Sequence, residues 1–267
     1  MTAHALLNAF KADKPAFGVW CMLPGAFSAR LAAQSSPHLS WVVIDCEHGM
    51  TPLQPGAAES IQAIAGIGPS APSPLVRIPA TGATTGTGWQ IKYALDAGAR
   101  GVIVPMVGTA EKAKEVVADC RFPPVGRRGF GSPICPIIWG VDAMQYFNSA
   151  NDSILVIVQI ETPEGVANAE AIAAVSGIDV LFIGPYDLSL SLGYHPPSPD
   201  PHDEVEQVIK KLLKVAHSAG KKCGIFCTSG EQAAQRAAQG FDMINVSVDY
   251  QAMTNDLSNK LAIAAGQ

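Results

Sequence analysis

Residues 153–189 read SILVIVQIETPEGVANAEAIAAVSGIDVLFIGPYDLS. The first run, Ile154 to Ile160, is apolar and β-branched, with Gln159 its single polar interruption. It is the length of a buried strand and far too short to cross a bilayer. The middle stretch is rich in Ala and Glu, opens on Thr162-Pro163 and closes on Gly177, as a helix should. A second apolar run, VLFIG, follows at 180–184. Two strands apolar on both faces, joined through a helix, predict parallel neighbours with helices covering the sheet.

The same rhythm extends along the chain in both directions. Strand-like runs are FGVWCM, WVVID, PLVRI, GVIVPMV, ILVIVQIE, VLFIG, CGIFC and MINVSVD. Helix-like stretches lie between them: after Pro24, after Pro52, and over 89–99, 109–120, 162–177, 202–220 and 230–240. Several end on glycine, at Gly98, Gly177, Gly220 and Gly240. Eight such units in 267 residues predict a single-domain α/β fold, a (β/α)8 TIM barrel of the phosphoenolpyruvate/pyruvate type, over 1–267. A doubly wound open sheet usually carries G-x-G-x-x-G after its first strand, and WCMLPGAFSAR has none. The last stretch, 251–267, reads as a helix that packs on a neighbouring subunit.

Composition narrows the function. Hydrophobic residues make up 48% and charged residues 15%, which suits a large core. A net charge of −5 argues against nucleic acid or an anionic membrane as partner. The six cysteines contain no C-x-x-C, and four of them fall in strand-like runs as small apolar fillers. The N-terminus lacks the pattern of a signal peptide. These features predict a reduced, cytoplasmic protein.

A barrel of this kind carries its active site at the C-terminal ends of its strands. Strand 2 ends on Asp45, Glu47 and His48, strand 3 on Arg77, strand 5 on Gln159 and Glu161, and strand 6 on Asp187. Glu161 and Asp187, from neighbouring strands, could share one hard divalent cation such as Mg²⁺ or Mn²⁺. His48 could move a proton, with Asp45 orienting it through one ring nitrogen. Arg77 could steady an oxyanion. Each acid alone could instead cap the helix that follows it, and Arg77 could pair with Asp45 or Glu47 for structure alone. A lysine Schiff base is disfavoured, because Lys221 and Lys222 precede strand 7.

Six stretches in order, DCEHG, VRIP, LDAGARGVIVP, RFPPVGRRGFGSP, VQIETPE and LFIGPYDLS, resemble the HpcH/HpaI aldolase family over about residues 16–250. CMLPG, RGFGSP and GFDMINVSVD look most like its fungal branch, which includes macrophomate synthase. The resemblance implies a class II, metal-dependent aldolase of pyruvate and similar 2-oxo acids, with an aldehyde as second product. It implies Glu161 and Asp187 as ligands of Mg²⁺, Mn²⁺ or Co²⁺, and His48 as base helped by Asp45 and Asp96. Arg77, Gln159, Gly184 and Pro185 would contact substrate, with the Arg127/Arg128 stretch near the site. It also implies a homo-oligomer, a hexamer or trimer of dimers. The Gly- and Thr-rich loop 80–88 departs from the family pattern. Two alternatives stay open: oxaloacetate decarboxylation with capture of the enolate by a second substrate, and a non-catalytic oligomeric binding protein.

Overall fold

The computed structural model describes residues 4–79 and 86–267. Eight parallel strands close into a barrel in sequence order. They are β1 (Ala16–Cys21), β2 (Leu39–Asp45), β3 (Ser73–Arg77), β4 (Gly101–Val104), β5 (Leu155–Ile160), β6 (Val180–Ile183), β7 (Lys222–Phe226) and β8 (Met243–Val248). All eight predicted strands form. The predicted helices also form, at Ala26–Ala33, Ala58–Ala65, Gly88–Asp96, Ala110–Cys120, Asp203–Ser218, Gly230–Ala238 and Asp249–Ala264. Gly98, Gly177, Gly220 and Gly240 all adopt positive φ, from 70° to 99°. The loop 80–88 falls mostly on 80–85, outside the described residues.

Two differences have local causes. The stretch 162–177 splits into two short helices, Pro163–Ala167 and Ala169–Ala173. At the break, the Asn168 side chain leaves the helical pattern and donates to the Gly108 carbonyl at 2.8 Å. Between the helix Ala110–Cys120 and β5, the chain inserts two further helices, Ile134–Trp139 and Ala143–Ser153. Asp142 and Gln145 start the second with reciprocal side-chain-to-backbone bonds, which satisfy free N–H groups of the first turn.

The side chains divide into two cores. Ile44, Val76, Val102, Val156, Leu181 and Ile225 pack outward against the helices. Trp20, Trp41, Val43, Leu75, Ile103, Ile157, Phe182 and Met243 fill the barrel interior. This follows from strand alternation, since every second residue faces in. Each large buried side chain contributes about 1.5–3 kcal/mol. Glycine makes room for the largest ones: a Cβ on Gly18 would lie 2.0 Å from the Trp41 ring.

An N-terminal helix, Ala5–Lys11, adds Leu6 and Phe10 to the interior core. His4 joins it to the strand starts, bonding Ser73 Oγ and the Ser153 carbonyl, each at 2.9 Å. One end of the barrel is therefore plugged, and the polar rim occupies the other.

Candidate active site

Asp45 and Arg77, the last residues of β2 and β3, stand opposite each other in register. Arg77 Nε donates to Asp45 Oδ1 at 2.9 Å and Nη2 to Oδ2 at 2.5 Å. Its remaining nitrogen, Nη1, lies 2.9 Å from Glu47 Oε2. Burial opposes all three charges. Even so, hydrogen bonding and charge from Arg77 hold Asp45 below its ordinary pKa. Asp45, then Glu47, likewise hold Arg77 above its own against the cost of burial. For Glu47 burial prevails over the attraction of Arg77, and its pKa is raised.

Asp45 Oδ1 also accepts the backbone N–H groups of Glu47 (3.0 Å) and His48 (3.3 Å). The expected contact through the His48 ring is therefore corrected: Asp45 fixes the backbone that carries His48 and grips Arg77. The ring itself is 59% exposed, with Nε2 3.8 Å from Glu47 Oε2. It is thus free to meet a ligand.

Glu161 follows β5 directly and is 2% exposed. Its Oε1 accepts the Met106 backbone N–H at 2.8 Å and its Oε2 accepts from Gln159 Nε2 at 2.7 Å. Burial pushes its pKa up to about 7, against the Met106 bond, and the charges of Asp187 and Glu47 push the same way. Met106 holds its N–H in place from a left-handed φ of 56°, a costly conformation for a side-chain-bearing residue. Gly184 matters for close approach: a Cβ there would lie 2.7 Å from Glu161 Oε2.

A cavity of about 180 Å³ opens over these groups. His48, Arg77, Gln159, Gly184, Pro185 and Asp187 line it, as does an aromatic wall of Trp20, Phe182, Tyr186 and Phe226. Glu161 lies just behind the wall at Gly184 and Gln159. Asp96 does not line this cavity. It sits on the helix Gly88–Asp96 and its carboxylate takes Lys92 Nζ at 2.5 Å and Arg128 Nη2 at 2.9 Å. The Arg127/Arg128 stretch is likewise not part of the lining: Arg127 bonds Asp119, and buried Arg128 lies 4.7 Å over the Phe122 ring.

Among the described residues, no three His, Cys, Asp or Glu are grouped to hold a metal. Glu161 and Asp187, close enough for the charge of one to bear on the other, are oxygen donors of the kind a hard cation takes, and its other positions would fall to water and substrate. Glu161 is a buried acid whose charge burial disfavours, and a cation would remove that penalty. The missing side chain of Gly184 keeps the space beside Oε2 open.

Sequence reasoning missed the aromatic wall and Met106. Counting alternate residues along β1 and β7 would have turned Trp20 and Phe226 inward. Nothing in a methionine announces a left-handed backbone.

Known proteins are similar to this chain over nearly its whole length. A 2-keto-3-deoxy-L-rhamnonate aldolase of Klebsiella pneumoniae is 37% identical over 247 residues, 92% of this chain and 87% of its own length. The crystal structure of an HpcH/HpaI aldolase/citrate lyase family protein from Burkholderia cenocepacia matches with a TM-score of 0.85 at 31% identity, covering 97% of this chain and 98% of that one. Macrophomate synthase matches with a TM-score of 0.82 over 98% of this chain and 88% of its own, at 26% identity, lower than that of these bacterial proteins. The HpcH/HpaI aldolase/citrate lyase family itself matches residues 18–256. On that span, and on a relative more than a third identical over nearly the whole length, this chain belongs to the HpcH/HpaI aldolase/citrate lyase family.

Proposed function

We propose that this chain is a divalent-metal-dependent aldolase, a carbon–carbon lyase. It cleaves or forms 4-hydroxy-2-oxo acids through the enolate of pyruvate or a similar 2-oxo acid, with an aldehyde as second product. The reading is carried by the buried carboxyl of Glu161, which sits behind Gly184 at the edge of a cavity lined by Asp187, Arg77 and His48. The family and the aldolase relatives support it.

Glu161 and Asp187 would hold Mg²⁺, Mn²⁺ or Co²⁺. Such an ion supplies Lewis-acid polarisation of the 2-oxo acid. Arg77, fixed by Asp45 and Glu47, adds positive charge beside the oxygen on which negative charge develops. His48 takes the proton of the C4 hydroxyl as the C3–C4 bond breaks and returns it in synthesis. The backbone at Gly184 and Pro185 borders the substrate carboxylate. Gln159 keeps its Oε1 without a partner among the described residues, ready to accept from a ligand hydroxyl or water. Asp96, bonded to Lys92 and Arg128, would join this set only from a neighbouring copy.

A homo-oligomer, hexameric or a trimer of dimers, belongs to the same reading. The helix Asp249–Ala264 buries none of its residues and exposes Met253, Leu257, Leu261 and Ile263. Apolar faces of this size mark contact surfaces. A cytoplasmic location is proposed from the six free cysteines. Among the described residues no helix is long and apolar enough to cross a membrane.

The test is exchange of pyruvate C3 protons with solvent, before and after loading EDTA-stripped protein with Mg²⁺, Mn²⁺ or Co²⁺. Loading should accelerate exchange. Equally slow exchange in both states would overturn the enzyme reading in favour of a binding protein. The likeness to macrophomate synthase favours a second reading, oxaloacetate decarboxylation with capture of the enolate by an acceptor. A product assay with oxaloacetate, with and without acceptor, separates the two.

A further inference from the structure

Glu161 is held at both carboxylate oxygens, by donors of different kinds. Oε2 takes a side-chain amide, Gln159 Nε2 at 2.7 Å. Oε1 takes a backbone N–H, that of Met106 at 2.8 Å, from the loop that follows β4. Among the described residues only Asp13 and Met106 adopt a positive φ without being glycine, at 49° and 56°. Asp13 lies in an exposed turn after the helix Ala5–Lys11, and aspartate tolerates that region. Methionine has no such tolerance. Its side chain is 49% exposed and does not line the cavity, so packing gives no reason for the conformation.

The turn at Met106 is imposed by its neighbours. Val104 ends β4, and Pro105 is buried. The Val107 N–H donates to the Gln159 carbonyl at 3.2 Å. The Gly108 carbonyl accepts from Asn168 Nδ2 at 2.8 Å. Thr109 Oγ1 caps the next helix by accepting the Lys112 N–H at 3.1 Å. A chain anchored on both sides can keep one residue in a conformation that it would leave in isolation. What this conformation achieves is the direction of a single N–H.

We propose that Met106 is a positioning residue, whose left-handed backbone aims its N–H at Glu161 and so fixes that carboxylate for the cation. The proposal rests on the aldolase reading and adds to it a residue that acts through Glu161. A carboxylate oxygen has room for more than one partner. With one donor on each oxygen, the Glu161 carboxylate is held against rotation, and both oxygens keep capacity for a ligand. Water could supply the same hydrogen bond, but Glu161 is buried, and a mobile donor would not fix the plane of the group. Donors that orient a metal ligand in this way are worth about ten- to a hundredfold in metal affinity.

The test is calorimetric titration of Mn²⁺ into the EDTA-stripped full chain. Met106→Gly deletes the side chain, keeps the N–H and enters the left-handed region readily, so it should bind Mn²⁺ within about threefold of the unaltered protein. Met106→Pro deletes the N–H and locks φ at about −65°. Its affinity should fall by at least about tenfold. Should proline prevent folding, Met106→Val, whose branched side chain resists positive φ, should lower the affinity in the same direction. Asp142→Ala, which uncaps the helix Ala143–Ser153, is the control: it should lower stability in urea and leave Mn²⁺ affinity unchanged. A larger loss in Met106→Gly would overturn the proposal, because the side chain would then be the part that matters. Unaltered affinity in the folded proline or valine variant would overturn it too, as would a loss of affinity in Asp142→Ala that matches its loss of stability. Absence of Mn²⁺ binding by the unaltered protein would instead overturn the metal-dependent reading, and this role with it.

Discussion

Arg77 grips Asp45 through two parallel hydrogen bonds, and the two residues are partners in the β2–β3 register. A sheet contact and a site contact are therefore the same object. Slipping either strand by one residue would turn one of the pair out of the barrel. Lysine carries the same charge but cannot fork to two oxygens and reach Glu47 with a third nitrogen. Arg77→Lys should therefore lower kcat/KM for aldol cleavage by about a hundredfold while the protein stays folded. Steady-state kinetics beside a circular dichroism spectrum check both halves.

Glu161 and Asp187 are proposed to act as a pair on the cation. Glu161→Gln keeps an acceptor for the Met106 N–H but removes the charge. Asp187→Ala removes the second oxygen donor from an exposed position where little packing is lost. Each should weaken Mn²⁺ binding by at least about a hundredfold and abolish metal-stimulated turnover. Calorimetric titration with Mn²⁺ reads the first effect. Near-normal affinity in either variant would refute the ligand assignment.

Gly184 sits where a methyl group would press on Glu161 Oε2 at 2.7 Å and Gln159 Nε2 at 3.3 Å. Gly184→Ala should cost about 1–3 kcal/mol of stability through overpacking. The loss of activity should be larger than that stability change explains, because the carboxylate is pushed from its place. Comparing urea unfolding with metal affinity for this one variant separates the two effects.

His4, far from the site, should make the protein acid-sensitive. Burial, then the charge of Arg100, lowers its pKa to about 3. The unfolded chain takes up a proton below about pH 6.5, whereas the folded protein resists until about pH 3. This contribution is thus fully present above pH 6.5 and is lost progressively as the pH falls. Between pH 6.5 and pH 5 the loss amounts to about 2 kcal/mol. In urea unfolding, His4→Gln should be less stable than the unaltered protein at pH 7.5, and that gap should narrow by about the same amount at pH 5.

Much of the architecture was legible because it depends on local chemistry. Apolar β-branched runs alternate with glycine-ended, Ala- and Glu-rich stretches, and that alternation has essentially one right-handed solution when it closes. The plug Ala5–Lys11 was not legible, because a short amphipathic segment becomes a helix only when Leu6 and Phe10 find the open end of a barrel. The inserted helices 134–153 escaped for a similar reason: they are stabilised by packing around Phe122, Trp139 and Tyr146.

The sequence by itself determined eight strands in order, a rim that collects Asp45, His48, Arg77, Glu161 and Asp187, and the family. Only the tertiary structure decided who bonds whom. It gave Asp45 to Arg77 rather than to the His48 ring, turned Asp96 toward Lys92 and Arg128, and set the Arg77 guanidinium over the Trp20 ring. Periodicity reports which face of a strand is buried, whereas partners depend on the curvature that brings distant strands together, and no local pattern encodes that curvature.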